Sequence, residues 1–144
     1  MRVSEAMSRD VCIVDPDQSI QDAAKAMRDL DIGVLPVGED DRLVGMITDR
    51  DIAVRAVAAD LRPSTPVREV MTEDVKYCYE DEDTEHVADN MGEQQLRRLP
   101  VLNRAKRLVG ILSLGDIAVI EGGLPAGEAV AGISRPGGAH SQTG

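Results

Sequence analysis

Tryptophan and phenylalanine are absent from this 144-residue chain, and Tyr77 and Tyr79 are its entire aromatic complement. A nucleic-acid surface built by stacking bases on aromatic rings has almost nothing to work with. The net charge of −10 repels a phosphate backbone as well, so nucleic acid is not an expected partner. Cysteine is scarce: Cys12 and Cys78 cannot make a disulfide framework, and read as small buried hydrophobes with a redox role as the lesser alternative. No apolar run approaches membrane-spanning length, and the opening M-R-V-S-E-A-M-S-R-D lacks the apolar stretch of a signal peptide. A cytoplasmic protein without membrane contact is the expectation. His86 and His140 stand isolated, no Cys/His spacing makes a zinc site, and no Ser or Cys has an evident base. The chain is therefore expected to be neither an enzyme nor a metalloprotein.

What remains is a 42% apolar composition in which Leu, Ile, Val, Met and Ala must fill the core. Charge is unevenly spread. Residues 80–85 are nearly all acidic and read as a solvated turn, whereas residues 97–107 hold five basic residues and no acidic one. That island can attract an anion even in an acidic protein.

The chain repeats itself. Shifted by 64 residues, Val3-Ser-Glu-Ala-Met7 falls on Val67-Arg-Glu-Val-Met71, and Leu35-Pro36-Val37 on Leu99-Pro100-Val101. After one inserted residue, Arg42-Leu43-Val44-Gly45 matches Arg107-Leu108-Val109-Gly110, and Asp51-Ile52-Ala53-Val54 matches Asp116-Ile117-Ala118-Val119. Positions 3–54 contain 19 identities, against about three from ordinary residue usage.

Each copy has the pattern β-α-β-β-α. A short apolar strand (11–14; 75–78) and an acidic turn precede a helix, which Ser19 opens with Asp22 three residues on, a capping-box spacing. Ile20, Ala24 and Met27 are predicted to share its inner face, as Val87 and Met91 do in the second copy. Two apolar strands around a polar turn follow (34–37 with 43–48; 99–102 with 108–113), and a second helix begins near Asp51 or Asp116. The expected organisation is one repeat over 1–58, a linker over 59–66, a second repeat over 67–121, and a Gly-rich, disordered tail over 122–144. A copy of about 60 residues is marginal alone.

The element order, the L-P-V strand and above all the motif G-h-x-[ST]-x-x-D resemble CBS domains. That motif occurs twice, as Gly45-Met46-Ile47-Thr48-Asp49-Arg50-Asp51 and as Gly110-Ile111-Leu112-Ser113-Leu114-Gly115-Asp116. A tandem pair is the usual unit of that family, often called a Bateman module. The resemblance implies an α/β (α+β) fold of two repeats packed sheet to sheet with pseudo-twofold symmetry, and a stand-alone regulatory module of bacterial type. It implies an adenine nucleotide (AMP, ADP, ATP or a related adenosyl compound) bound in clefts between the repeats, signalling energy state or stress by conformational change. A homodimer and an unidentified downstream protein are the implied protein partners. The alternative is a ligand-free interaction and dimerisation module.

Each motif delivers a strand into a helix N-terminus, where first-turn amides and the helix dipole favour negative charge. Thr48 or Ser113 places a hydroxyl at that mouth, and Asp51 or Asp116 offers a carboxylate for ribose hydroxyls. The same spacings cap a helix with no ligand at all, contributing about 1 kcal/mol, and the two roles can coexist. The ribose and phosphate candidates are Thr48, Asp49, Arg50 and Asp51 in the first motif, and Arg98, Ser113, Leu114 and Asp116 in the second. By resemblance, the adenine lies among Val14, Val34, Pro36 and Ile47 or Cys78, Pro100 and Leu112. In nucleotide-binding CBS proteins that this stretch resembles, a basic residue before the L-P-V strand faces phosphate; Arg98 holds that place, with Arg97 expected exposed. Copy one has Gly33-Val34 there and offers Arg50 instead, so the two sites should be unequal. No cofactor is required; magnesium enters only with a polyphosphate ligand, because Asp49 and Asp51 alone make a poor cage.

Overall fold

The structure, a computed structural model, describes residues 1–121 and 123–133. It is a mixed α/β chain that divides into two compact units. One holds residues 12–75 with 106–108; the other holds 1–11, 76–105 and the described residues from Val109 to Ile133.

In the first of these, α2 (Ile20–Leu30) leads to the antiparallel pair β1 (Val34–Glu39) and β2 (Arg42–Thr48), then to α3 (Asp49–Asp51), which continues as a π-helical stretch over Ile52–Val57. Ser19 caps α2 as its spacing predicts, its Oγ accepting from the Asp22 amide at 3.0 Å. The inner face is Ile20, Ala23 and Met27, not Ala24, which is exposed. Both alanines stand three or four residues from Ile20 and Met27, so spacing allows either, and it is Ala23 that the structure turns into the core. The strand expected over 11–14 contracts to a single parallel bridge, Val14 to Val37. The linker is tied down: the carbonyls of Thr65 and Pro63 accept from the Ile20 and Gln21 amides, donors that a helix N-terminus leaves free. Leu35, Val37, Ile47, Ala56, Val67 and Val70 are wholly buried in this unit's core.

The other unit repeats the plan. It opens with α1 (Val3–Ala6); the strand expected over 75–78 is the two-residue β3 (Cys78–Tyr79), parallel to β4 (Arg98–Leu102), with β5 (Leu108–Ser113) alongside. Its helices are α4 (Thr84–Gln94), α5 (Leu114–Glu121) and α6 (Gly123–Ile133). Val87 and Met91 of α4 are buried, as predicted, with Val101, Leu112 and Ile117. The helix α6 is a correction: composition assigns this stretch to a disordered tail, yet it packs on α4 and α5 and buries Ala129 and Gly132. Small residues let its backbone come close enough to exclude water where large side chains could not. Residues 134–144, the rest of that tail, lie outside the described residues, as does His140.

Within each unit, the leading segment of one sequence repeat pairs with a strand of the other repeat. Thr72, near the start of the second repeat, bridges to Met46 in the first repeat's β2, while Ser8 bridges to Ile111 in the second repeat's β5. The motif glycines receive the exchanged side chains. A Cβ on Gly45 would lie 2.6 Å from Met71 Sδ, and one on Gly110 would lie 2.7 Å from Met7 Sδ.

Cys78 sits in β3, 3% exposed, its thiol directed at the Pro100 carbonyl at 3.9 Å; Cys12 is half-buried and in no strand. Burial, helped by the nearby charge of Glu82, pushes the Cys78 thiol up to about 12. The thiolate is the reactive form. Iodoacetamide at pH 8 is therefore expected to modify Cys12 in native protein and Cys78 only after denaturation, as peptide mass mapping would show. Because the raised value favours the neutral thiol in the fold, its contribution to stability is complete below about pH 9 and is lost as pH rises towards 12. Native-state labelling of Cys78 before Cys12 would contradict the burial.

Candidate functional site

Both motifs are built alike. Where β2 runs into α3, Thr48 Oγ1 accepts from the Asp51 amide at 2.9 Å, and Asp51 Oδ2 accepts from the Thr48 amide at 3.0 Å. Where β5 runs into α5, Ser113 Oγ accepts from the Asp116 amide at 3.0 Å, and Asp116 Oδ2 accepts from the Ser113 amide at 2.9 Å. The capping role is thus present in both copies. It commits one oxygen of each carboxylate; Asp51 Oδ1 lies 3.8 Å from Arg55 Nε, whereas Asp116 Oδ1 has no partner among the described residues.

A further bond fixes each mouth. The Asp49 amide donates to the Gly33 carbonyl at 2.9 Å, and the Leu114 amide to the Arg97 carbonyl at 3.0 Å. The residues entering the L-P-V strands are thereby held against the helix starts. In the first motif this leaves the Asp49 carboxylate over Gly33, where a Cβ would meet Oδ2 at 2.7 Å. In the second, arginines occupy the strand entry and Leu114, nearly buried, replaces the carboxylate. Arg50, Arg97 and Arg98 are exposed, and among the described residues none of the three guanidinium groups has a hydrogen bond or a carboxylate within 4.0 Å.

The second motif opens onto a pocket of about 450 Å³. Arg97, Arg98 and Ser113 line it together with Leu114 and Gly115 at the start of α5 and with Val130 and Ile133 of α6. Arg98, Ser113 and Leu114 are thus brought together as the sequence suggests, with Arg97, expected merely exposed, beside them. The sequence gives no sign of Val130 and Ile133 beyond their spacing of three in a stretch read as tail. Asp116, Cys78, Pro100 and Leu112 belong to the same unit but do not line this pocket. Thr48, Asp49, Arg50 and Asp51 lie in the other unit with Val14, Val34, Pro36 and Ile47. Of the proposed adenine contacts, Ile47 and Leu112 are 0% exposed and turn into the two cores, while Val14, Pro36, Cys78 and Pro100 are buried and Val34 is half-buried.

Among the described residues, no group of three or more His, Cys, Asp or Glu could hold a metal ion, and no helix is long and apolar enough to cross a membrane.

The comparisons agree with the duplicated architecture. CBS domain-containing protein YhcV of Bacillus subtilis is 40% identical over 134 residues, covering 92% of this chain and 95% of that protein. The crystal structure of Hypoxic Response Protein I with two coordinated zinc ions is similar at 38% identity and a TM-score of 0.76, over 83% of this chain and 98% of that one. The CBS domain pair of protein MJ0100, in complex with 5′-methylthioadenosine and S-adenosyl-L-methionine, is similar at 32% identity and a TM-score of 0.73, over 85% and 96%. Residues 3–57 and 67–121 each match the CBS domain itself, and the chain belongs to the CBS domain family as a tandem pair.

Proposed function

We propose that this protein is a regulatory module that binds adenine nucleotides, or a related adenosyl compound, at its two motifs and passes the signal to a partner through a change of conformation. The observation that carries this reading is the pocket at the second motif, lined by the Ser113 hydroxyl and by two guanidinium groups that have no partner among the described residues. Such groups suit a phosphate, which a guanidinium can hold through paired, charge-assisted bonds. The adenosyl ligands of the MJ0100 pair support the class of ligand. The role proposed for Asp51 and Asp116 is to accept ribose hydroxyls with the carboxylate oxygen that the cap leaves over.

Calorimetric titration with AMP, ATP and S-adenosylmethionine tests the proposal directly. Asp116→Asn is the informative variant, because its amide oxygen can still accept from the Ser113 amide and keep the cap. It is expected to weaken AMP by about tenfold, the equivalent of one lost charge-assisted bond of about 1.5 kcal/mol, with little change in melting temperature. Unchanged affinity together with unchanged stability would remove the ribose role.

A second reading, a dimerisation platform without ligand, is favoured by a different observation. The equivalent residues Val54 and Val119 are 53% and 86% exposed, an unusual place for two valines. We propose a homodimer in either case. Light scattering separates the readings when run with and without nucleotide: a dimer that never binds one supports the platform alone.

A further inference from the structure

We propose that α6 is the third wall of the ligand site at the second motif, with Val130 and Ile133 holding the apolar part of an anionic ligand whose charge Arg97 and Arg98 take up. This inference rests on the nucleotide reading above and adds to it the specificity of one site. The walls of the pocket differ in chemistry. The strand entry carries two cations without carboxylate partners among the described residues; α6 carries two aliphatic side chains, of which Val130 is 51% exposed. A volume of about 450 Å³ falls within the range of small-ligand sites, which are mostly apolar with a few polar groups that fix orientation.

The apolar wall is held in place by close packing. A Cβ on Gly132 would lie 2.5 Å from the Gly92 oxygen and 2.8 Å from its carbonyl carbon, so α6 and α4 meet backbone to backbone. Gln95, in the left-handed conformation at the end of α4, donates through Nε2 to the carbonyls of Gly132 at 3.1 Å and Ile133 at 3.5 Å. Those are last-turn acceptors that a helix cannot satisfy by itself. Residues 123–133 contain no lysine, arginine or histidine, so the wall adds apolar contact and no further cation. A ligand with both a flat apolar body and an anionic group therefore fits better than one with either part alone: a nucleoside monophosphate over its nucleoside, and over free phosphate.

The test is calorimetric titration of the full chain with AMP, adenosine and inorganic phosphate, on wild type and two variants. Gly132→Val forces the helices apart at a contact where neither backbone can yield. It is expected to weaken AMP at the second site at least tenfold, to raise hydrogen exchange across residues 124–133, and to leave the first site's affinity as it was. Val130→Asp changes an exposed side chain, spares the packing, and sets a carboxylate in the pocket with Arg97 and Arg98; it is expected to weaken AMP tenfold or more and adenosine far less. Tighter AMP binding in Gly132→Val would show that α6 plugs the site rather than lining it, and would overturn the proposal. So would AMP affinity unchanged in both variants, with Val130→Asp deciding the matter should hydrogen exchange show α6 still docked in Gly132→Val. Wild-type protein that binds no nucleotide would sink the function and the wall together, whereas wild-type binding untouched by both variants would sink the wall alone.

Discussion

Replacing Arg98 with alanine is expected to weaken AMP at the second motif by tenfold or more while hardly affecting adenosine. The Arg98 guanidinium lines the pocket beside Ser113 and has no carboxylate partner among the described residues, so removing it frees no buried acid and breaks no internal ion pair. Its loss falls on the ligand alone. Charge-assisted bonds of this kind contribute about 1.5–3 kcal/mol, and about 1.4 kcal/mol is tenfold in affinity. The adjacent Arg97 can take over part of the phosphate, so the Arg97→Ala, Arg98→Ala pair is expected to lose more than either substitution alone. Arg50→Ala should have a smaller effect at the first motif, where the Asp49 carboxylate over Gly33 already opposes a phosphate. If Arg98→Ala weakened adenosine as much as AMP, or changed neither, the phosphate role would be wrong. Its exposure makes a folding defect a poor alternative explanation, since surface substitutions usually change stability by under about 0.5 kcal/mol.

The second large effect concerns the glycine that opens each motif. Gly110→Val is expected to destabilise the protein by about 2–3 kcal/mol, in the range of an overpacked core, and to move the urea midpoint down by about 1 M or more. A Cβ there meets Met7 Sδ and the Ser8 carbonyl oxygen, both at 2.7 Å. The methionine can turn away, but the carbonyl cannot: the Ile111 amide donates to it at 2.9 Å, and the Ser8 amide donates to the Ile111 carbonyl at 2.8 Å. Moving Ser8 aside breaks both bonds. Gly45→Val faces the same obstacle in Met71 Sδ at 2.6 Å and the Thr72 oxygen at 2.9 Å. Gly115→Ala is the control, because its Cβ meets nothing closer than Ser113 Oγ at 3.5 Å, and alanine is the better helix former by nearly 1 kcal/mol. A wild-type midpoint for Gly110→Val would mean that the Met7 segment does not dock where the structure puts it.

Much of this was readable from residues because the duplication checks itself. Gly45 and Gly110, Thr48 and Ser113, and Asp51 and Asp116 stand at matching positions; the structure gives the two glycines the same close neighbours and the other two pairs the same bonds. Three features were beyond reach for physical reasons. The inner face of α2 turns on whether Ala23 or Ala24 faces the core, and two adjacent alanines carry no signal to choose between them. The α6 helix is held by contact at Gly92 and Gly132, and glycine reads locally as a helix breaker because its effect on packing depends on a partner far away in sequence. The exchange of leading segments is hidden by the repeat itself: Val3-x-Glu-x-Met7 and Val67-x-Glu-x-Met71 are interchangeable as text, so nothing in either says which glycine its methionine will cover.

That exchange has a consequence during synthesis. Residues 12–75 can close around Met71 and Thr72 as soon as they leave the ribosome, since those partners follow closely in the chain. Val3, Ala6 and Met7 must wait, because the core they enter is made by residues as late as Leu112 and Ile117. At the usual elongation rate of about 5–20 residues per second, this apolar segment stays without its partner for several seconds. The Val3–Met7 segment thus waits until most of its own unit has been made, and a nascent chain stalled before Ile117 would display Val3 and Met7 to whatever chaperone is at hand.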